Sequence, residues 1–321
     1  MKKTLWMIVI FMLVCTLCAL SVSCSKPTTT ITFLVDSDIP ITSDECFCFT
    51  LLENDTYEIS GYEQTLPIHV NIPSIYEGKK VTTIGTSAFR DSEVKKIILP
   101  ESITTIDDYA FNCCRDLVSI ELPSSAASIG VGAFVGCNSL TSIKIPKGVA
   151  EIKESTFEYC NNITTITIPS SVKNIASWAF LGCNKLSYVY YEGSITDWCN
   201  VRGVVELYDT SESIPDICLY INGEKVEGKI TIPDNVTRIG EFSFFNCDNV
   251  TSVIIPTSIT YIERGAFAFC DSLTDFSYKG TIDQWNSIQK EEGWDSETGP
   301  YTVFCIDDSI RVSRSTHSFI N

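Results

Sequence analysis

Leu117-Val118-Ser119-Ile120-Glu121-Leu122-Pro123, followed after a turn by Ser128-Ile129 and then by Ala133-Phe134-Val135-Gly136-Cys137, is the stretch that decides the fold. Ile120 and Leu122 alternate with Ser119 and Glu121, the pattern of a half-buried strand. Pro123 lacks an N–H, so it closes that strand. A second short extended piece ends at Ile129. Ala133 and Phe134 open a tight helical or 3₁₀ turn whose ring fills the interior. Cys137 is a small apolar filler where that turn packs against its neighbours.

The same unit recurs. Phe occurs at 89, 111, 134, 157, 180, 244 and 267, and Ile at 84, 106, 129, 152, 175, 239 and 262. Both columns are spaced by 22 or 23 residues except for one gap of 64. Pro73, Pro100, Pro123, Pro146, Pro169, Pro233 and Pro256 form a third column. Cys114, Cys137, Cys160, Cys183, Cys247 and Cys270 form a fourth, with Ser92 in that place in the first copy. Unrelated drift would scramble such columns independently. A period of about 23 lies in the leucine-rich-repeat range. One coil cannot bury its apolar face alone, so coils stack at ~4.8 Å into a continuous core. The expected fold is therefore a repeat solenoid. Each coil carries short parallel strands and a short helical or 3₁₀ turn, and hairpins cap the ends.

The Ile-Pro, Ala-Phe-x-x-Cys and period-23 combination resembles the BspA-like leucine-rich-repeat family, over about residues 46 to 312. The resemblance implies a secreted or surface-anchored bacterial protein. It also implies adhesion to host proteins or other cells.

The gap of 64 is not random. Tyr191-Glu192-Gly193-Ser194-Ile195-Thr196-Asp197-Trp198 matches Tyr278-Lys279-Gly280-Thr281-Ile282-Asp283-Gln284-Trp285 at an offset of 87, and Cys218 and Cys305 keep that offset. The element starts as a short helix with Ile195, Trp198 and Val201 on one side. It ends as a hairpin around Asn222-Gly223. The first copy is expected to bulge between two stacks, and the second to cover the C-terminal end. Upstream, Phe47, Phe49 and Leu51 alternate, and a return strand runs from Thr56 to Ser60. The organisation expected is a signal peptide over 1–23, anchor and tether over 24–45, and an N-terminal hairpin cap with the first coil start over 46–83. A first array over 84–190 and the inserted module over 191–228 follow. Then come a second array over 229–274, a C-terminal cap over 275–312 and a tail over 313–321.

Lys2 and Lys3 precede the apolar run Leu5 to Leu20. That run is short of the ~20 residues a spanning helix needs. A basic start, a short apolar core and small residues at Ser21 and Ser23 make a secretory signal. Leu20-Ser21-Val22-Ser23-Cys24 resembles a bacterial lipobox, with Ser21 where an aliphatic residue is usual. The resemblance implies lipidation of Cys24 and a membrane attachment; simple cleavage after Ser23 would instead leave a thiol.

Lys and Arg total 23 against 40 Asp and Glu, a net charge of -17, which speaks against nucleic acid or an anionic membrane surface as partner. His69 and His317 are the only histidines, so a triad or a multi-histidine zinc site has little to draw on. No cofactor is expected. Ser92-Glu93-Val94-Lys95 and Ser170-Ser171-Val172-Lys173 match Ser-x-x-Lys but sit on repeat junctions without companion motifs. Asp36-Ser37-Asp38 starts like a calcium loop and lacks its Gly and distal Glu. Cys46-Phe47-Cys48 lacks zinc spacing. An enzyme, such as a hydrolase with an unrecognised site, has no assembled residues behind it. The cysteine column reads as buried thiols, although stacked coils also bring Cα atoms within disulfide range.

The outward strand positions are the functional lead. Most are small or polar: Ser119 and Glu121, Ser142 and Lys144, Thr165 and Thr167. Tyr188 and Tyr190 break the run beside the inserted module and are the candidate partner-binding residues, unless the module covers their rings. The expected partner is a host or neighbouring-cell surface or matrix protein. A structural spacer without a specific ligand is the alternative.

Overall fold

The computed structural model describes residues 39–63, 65–208 and 216–313. Cys24, the signal segment, Asp36-Ser37-Asp38 and the tail from residue 314 lie outside the described residues. Successive coils pair in parallel and in register. Ile97 lies beside Ile120, Ile143 beside Ile166, and Ile166 beside Val189. A second ladder, of two-residue strands after the first, joins Ile84, Ile106 and Ile129, then Ile152 and Ile175. These inward residues are buried because alternation in a strand leaves them no other face. The Phe rings form one stack from Phe89 to Phe180, with centroids 5.2–5.5 Å apart and planes within 16°. Phe244 and Phe267 repeat it at 5.3 Å. The solenoid predicted from the period is the fold observed.

The Ala-Phe-x-x-Cys turn differs from the expected helical or 3₁₀ turn. Ala110, Asn112 and Cys114 donate their N–H groups three residues back, to Asp107, Tyr109 and Phe111. The alternate residues Tyr109, Phe111 and Cys113 donate to Val131, Ala133 and Val135 of the next coil, at 2.7–2.8 Å. A helix would keep all these donors within one coil. The solenoid needs half of them to join coils, and the backbone turns left-handed to aim them. Tyr109 and Cys113, two positions either side of Phe111, have φ of 58°. The same pair recurs as Ser87 and Asp91, Gly132 and Gly136, Ser155 and Tyr159, Trp178 and Gly182, Phe242 and Asn246, and Gly265 and Phe269. A non-glycine residue there costs roughly 1–2 kcal/mol. Each inter-coil hydrogen bond spares a buried donor a penalty of about the same size.

Column cysteines also join coils. Cys137, Cys160, Cys183 and Cys270 direct Sγ at the carbonyls of Phe111, Phe134, Phe157 and Phe244, at 3.1–3.2 Å. Ser92, at the start of the column, contacts Cys114 Sγ at 3.2 Å. These column cysteines are free thiols.

The inserted module is a coil rather than a bulge. Its strand Cys218–Ile221 pairs in parallel with Tyr188–Tyr191. Arg202 pairs with Asn174 in the second ladder. Gly203 follows at φ 71°, and a Cβ there would stand 1.9 Å from the Ile175 carbonyl. The helix Ile195–Trp198 is held by a capping box between Ser194 and Asp197, as its counterpart Ile282–Ser287 is by Thr281 and Gln284. Trp198 Nε1 donates to the Ser243 carbonyl at 2.6 Å, and Tyr208 O–H to that of Phe245 at 3.1 Å, so the module packs onto the second array. The hairpin turns at Asn222 and Gly223, whose φ of 51° and 81° match a type I′ turn. Its return strand Glu224–Lys225 takes the place where the next parallel strand would pair, so a new sheet begins at Gly228–Thr231.

Cys218 and Cys305 are not equivalent, despite their common offset. Cys218 opens a strand opposite Tyr188, whereas Asp275, the counterpart of Tyr188, faces Thr302. Cys305 lies beyond the strand Tyr301–Phe304. The second copy is shorter before its strand, and its hairpin loop is longer. Within that copy a further coil is present. Gly293 and Glu297 are left-handed, Phe267 donates to the Trp294 carbonyl, and Thr298 Oγ1 donates to the Phe267 carbonyl at 2.6 Å. Thr298 thus stands where other coils have cysteine. Antiparallel hairpins occur at both ends, pairing Phe47–Leu51 with Tyr57–Tyr62 and Tyr301–Phe304 with Ser309–Val312. A register shift between Cys48 and Phe49 ends the expected alternation, so Phe47 is buried and Leu51 is exposed.

Candidate functional site

Parallel register stacks equivalent residues, so one outward position repeats down the sheet. Thr165 lies beside Tyr188 and Tyr188 beside Cys218; Thr167 lies beside Tyr190 and Tyr190 beside Tyr220. Val189 between them is buried, and Tyr188 and Tyr190 are half-buried on the outer face. Tyr220 is a third aromatic in this row, but it is buried and backs Tyr190 rather than offering surface of its own. It is legible in the sequence only once the module's strand is placed in the sheet. The Tyr190 and Tyr220 rings stack at 4.6 Å and 22°. The module therefore supports Tyr190 from one side without enclosing it. Burial raises the phenols of Tyr190 and Tyr220, so both stay neutral at physiological pH. The Tyr220 hydroxyl is buried and has no hydrogen-bond partner among the described residues. Lys144 lies two coils away on the same face and pairs with Glu192 at 2.7 Å. The arrangement offers aromatic surface and phenolic donors beside small polar residues, which suits recognition.

The Ser-x-x-Lys matches do not assemble a nucleophile. Ser92 is buried against Cys114, and Lys95 is exposed. Lys173 Nζ bonds the Ser170 carbonyl, not its hydroxyl. His69 is exposed on the strand His69–Asn71. Among the described residues no group of three or more His, Cys, Asp or Glu is placed to hold a metal. None of the helices there is long and apolar enough to cross a membrane.

The stacked parallel coils, the Phe column and the period define a leucine-rich-repeat protein. The family model described as the BspA type leucine rich repeat region matches residues 68–200 and 205–289, and the chain belongs to that family. Solved structures of similar proteins include a leucine-rich cell-surface protein of Faecalibacterium prausnitzii, 20% identical over 80% of this chain and 100% of that one, at a TM-score of 0.34. A leucine-rich-repeat protein from Bacteroides ovatus is 23% identical over 84% of this chain and 77% of that one, at 0.40. The pneumococcal vaccine antigen PcpA is 19% identical over 82% and 81%, at 0.41. No curated protein matches the chain.

Proposed function

We propose that the chain is an exported, lipid-anchored cell-surface protein that binds another protein through its outer strand face, without catalysis. The observation that carries this reading is the Tyr188, Tyr190 and Tyr220 cluster on a face that is otherwise small and polar. Tyr188 and Tyr190, half-exposed on a rigid sheet and backed by the buried Tyr220, give contact area at low entropic cost, the property that makes tyrosine a frequent recognition hot spot. Family membership and the leader-like first 23 residues support the location, and Cys24 is the residue that would carry the lipid. The small polar residues on the rest of the face favour a second reading, a surface spacer with no specific ligand. The full chain, immobilised and challenged with host-matrix and bacterial-surface extracts at low and physiological salt, separates the two. Saturable, salt-sensitive capture of one partner supports binding. Weak, unsaturable contacts only would leave the spacer.

A further inference from the structure

The opposite edge of each coil, where the left-handed residues sit, carries its own aromatic surface. Eight coils hold sixteen such positions, and glycine fills five of them. At three of the others an aromatic side chain is laid on glycine. The rings of Tyr109, Tyr159 and Phe242 cover Gly132, Gly182 and Gly265 of the next coil, where an added Cβ would stand 2.5, 2.6 and 3.0 Å from ring atoms. That packing offsets part of the steric penalty of the backbone. Trp178 has φ 60° and no such glycine, because the module follows it. Its N–H is fixed by Glu206 Oε2 at 2.7 Å, and the residue is 50% exposed. Tyr159 is 48% exposed. Trp178 and the Gly182 beneath Tyr159 are the two left-handed residues of one coil, so Trp178 and Tyr159 belong to the same turn edge. A large aromatic held in a strained backbone with half its surface in water is better explained by a ligand than by packing.

The charges around it give the ligand's sign. Glu154 and Glu158 lie on the same turn as Tyr159, and neither makes an ion pair among the described residues. Glu206 is beside Trp178. Of the lysines near this turn in sequence, Lys185 donates to Asn162 Oδ1 at 2.6 Å and keeps its charge, and Lys153 lies close enough to Asp107 to favour its carboxylate. The chain as a whole is at -17. A cation over an indole face, ringed by carboxylates, is the complementary arrangement.

We propose that this turn face, centred on Trp178 and Tyr159, docks an arginine- or lysine-bearing segment of a partner protein. The surface is separate from the strand face and does not depend on Tyr188 or Tyr190. The test is a fluorescence-anisotropy titration of the full chain with labelled nona-arginine at physiological salt, with nona-glutamate and a Gly-Ser peptide of the same length as controls. Trp178→Gly and Tyr159→Gly suit the left-handed backbone and change no charge. Each should leave thermal stability level or raised, and together they should weaken nona-arginine binding about ten-fold. Trp178→Asn, which also tolerates that backbone, should behave likewise, and Tyr188→Ser should leave this binding unchanged. Equal affinity in the Gly variants would overturn the proposal, as would equal binding of the Gly-Ser peptide. A fall in thermal stability with Trp178→Gly would also overturn it, by showing that the indole is a packing residue.

Discussion

Raising the pH should unfold this protein abruptly through its buried thiols. Burial pushes the thiols of Cys183, Cys199 and Cys247 up to about 12 and also raises those of Cys137, Cys160 and Cys270 well above the ordinary thiol value. A thiolate in the column would also face a Phe carbonyl oxygen at close to 3.1 Å. In the unfolded chain the same thiols ionise near 9.0. A folded pKa above the unfolded one contributes stability that is whole below about pH 9 and is lost as pH rises toward the folded value. Each thiol then contributes a slope of about 1.4 kcal/mol per pH unit, or about 8 kcal/mol per unit for the six. The buried Tyr208 adds in the same direction. Two groups oppose: a hydrogen bond with Cys137 lowers the Cys114 thiol, which adds stability up to about pH 9, and Lys290 opposes by one proton. Desolvation pulls it down to about 8, so its contribution grows with pH up to the ordinary lysine range. A domain of ordinary stability, ~5–15 kcal/mol, has room for only one or two pH units of such loss. Urea midpoints under reducing conditions should therefore be level from pH 7 to 8.5 and collapse between about 9.5 and 11. The double variant Cys160→Ala, Cys270→Ala should lose two protons from the slope, whatever its starting stability. A midpoint unchanged between pH 8.5 and 10.5, or an unaltered slope in the double variant, would falsify the reasoning.

Phe134 is fully buried between Phe111 and Phe157, so Phe134→Ala should cost ~3–5 kcal/mol, read as a shift in the denaturant midpoint. Thr298→Val removes the bond to the Phe267 carbonyl, and the variant should lose ~1–3 kcal/mol, with Thr298→Cys recovering part of it. Gly203→Ala should destabilise strongly, seen as a lower melting temperature, because the added methyl meets the Ile175 carbonyl. Cys24→Ala should abolish labelling by a palmitate analogue and release the protein from membranes; unchanged membrane association would remove Cys24 as the anchor.

The columns were legible because burial selects them directly. An inward strand position admits Ile or Val, and the coil centre admits one ring. The left-handed pairs were not legible, because hydrogen bonding between coils imposes them and residue type does not. Tyr109, Tyr159, Trp178 and Phe242 accept that backbone, and only glycines such as Gly132, Gly136 and Gly182 mark it. The last coil was hidden for a related reason. Asp295 stands where the ring would be and Thr298 where the cysteine would be, while the hydrogen bonds persist. Asp295 is buried there, accepting from Tyr301 O–H at 2.6 Å. The common offset of Cys218 and Cys305 misled, since a sequence offset does not see the loops that shorten one copy and lengthen its hairpin. Tyr188 and Tyr190 could be placed on the outer face by alternation alone, but Tyr220 required the module's strand to be recognised as part of the sheet.

The strand face as a protein-binding surface is tested most directly by two substitutions measured together for binding and for stability. Tyr188→Ser removes one ring that stacks on no other ring among the described residues. Tyr190→Phe keeps the stack on Tyr220 and removes only the hydroxyl, whereas Tyr190→Ser would also lose the ~0.5–1.5 kcal/mol of that aromatic pair. With a partner captured by the full chain, titration of the double variant Tyr188→Ser, Tyr190→Phe should show affinity reduced by ~2 kcal/mol or more at an unchanged melting temperature. Undiminished affinity at an unchanged melting temperature would contradict the account.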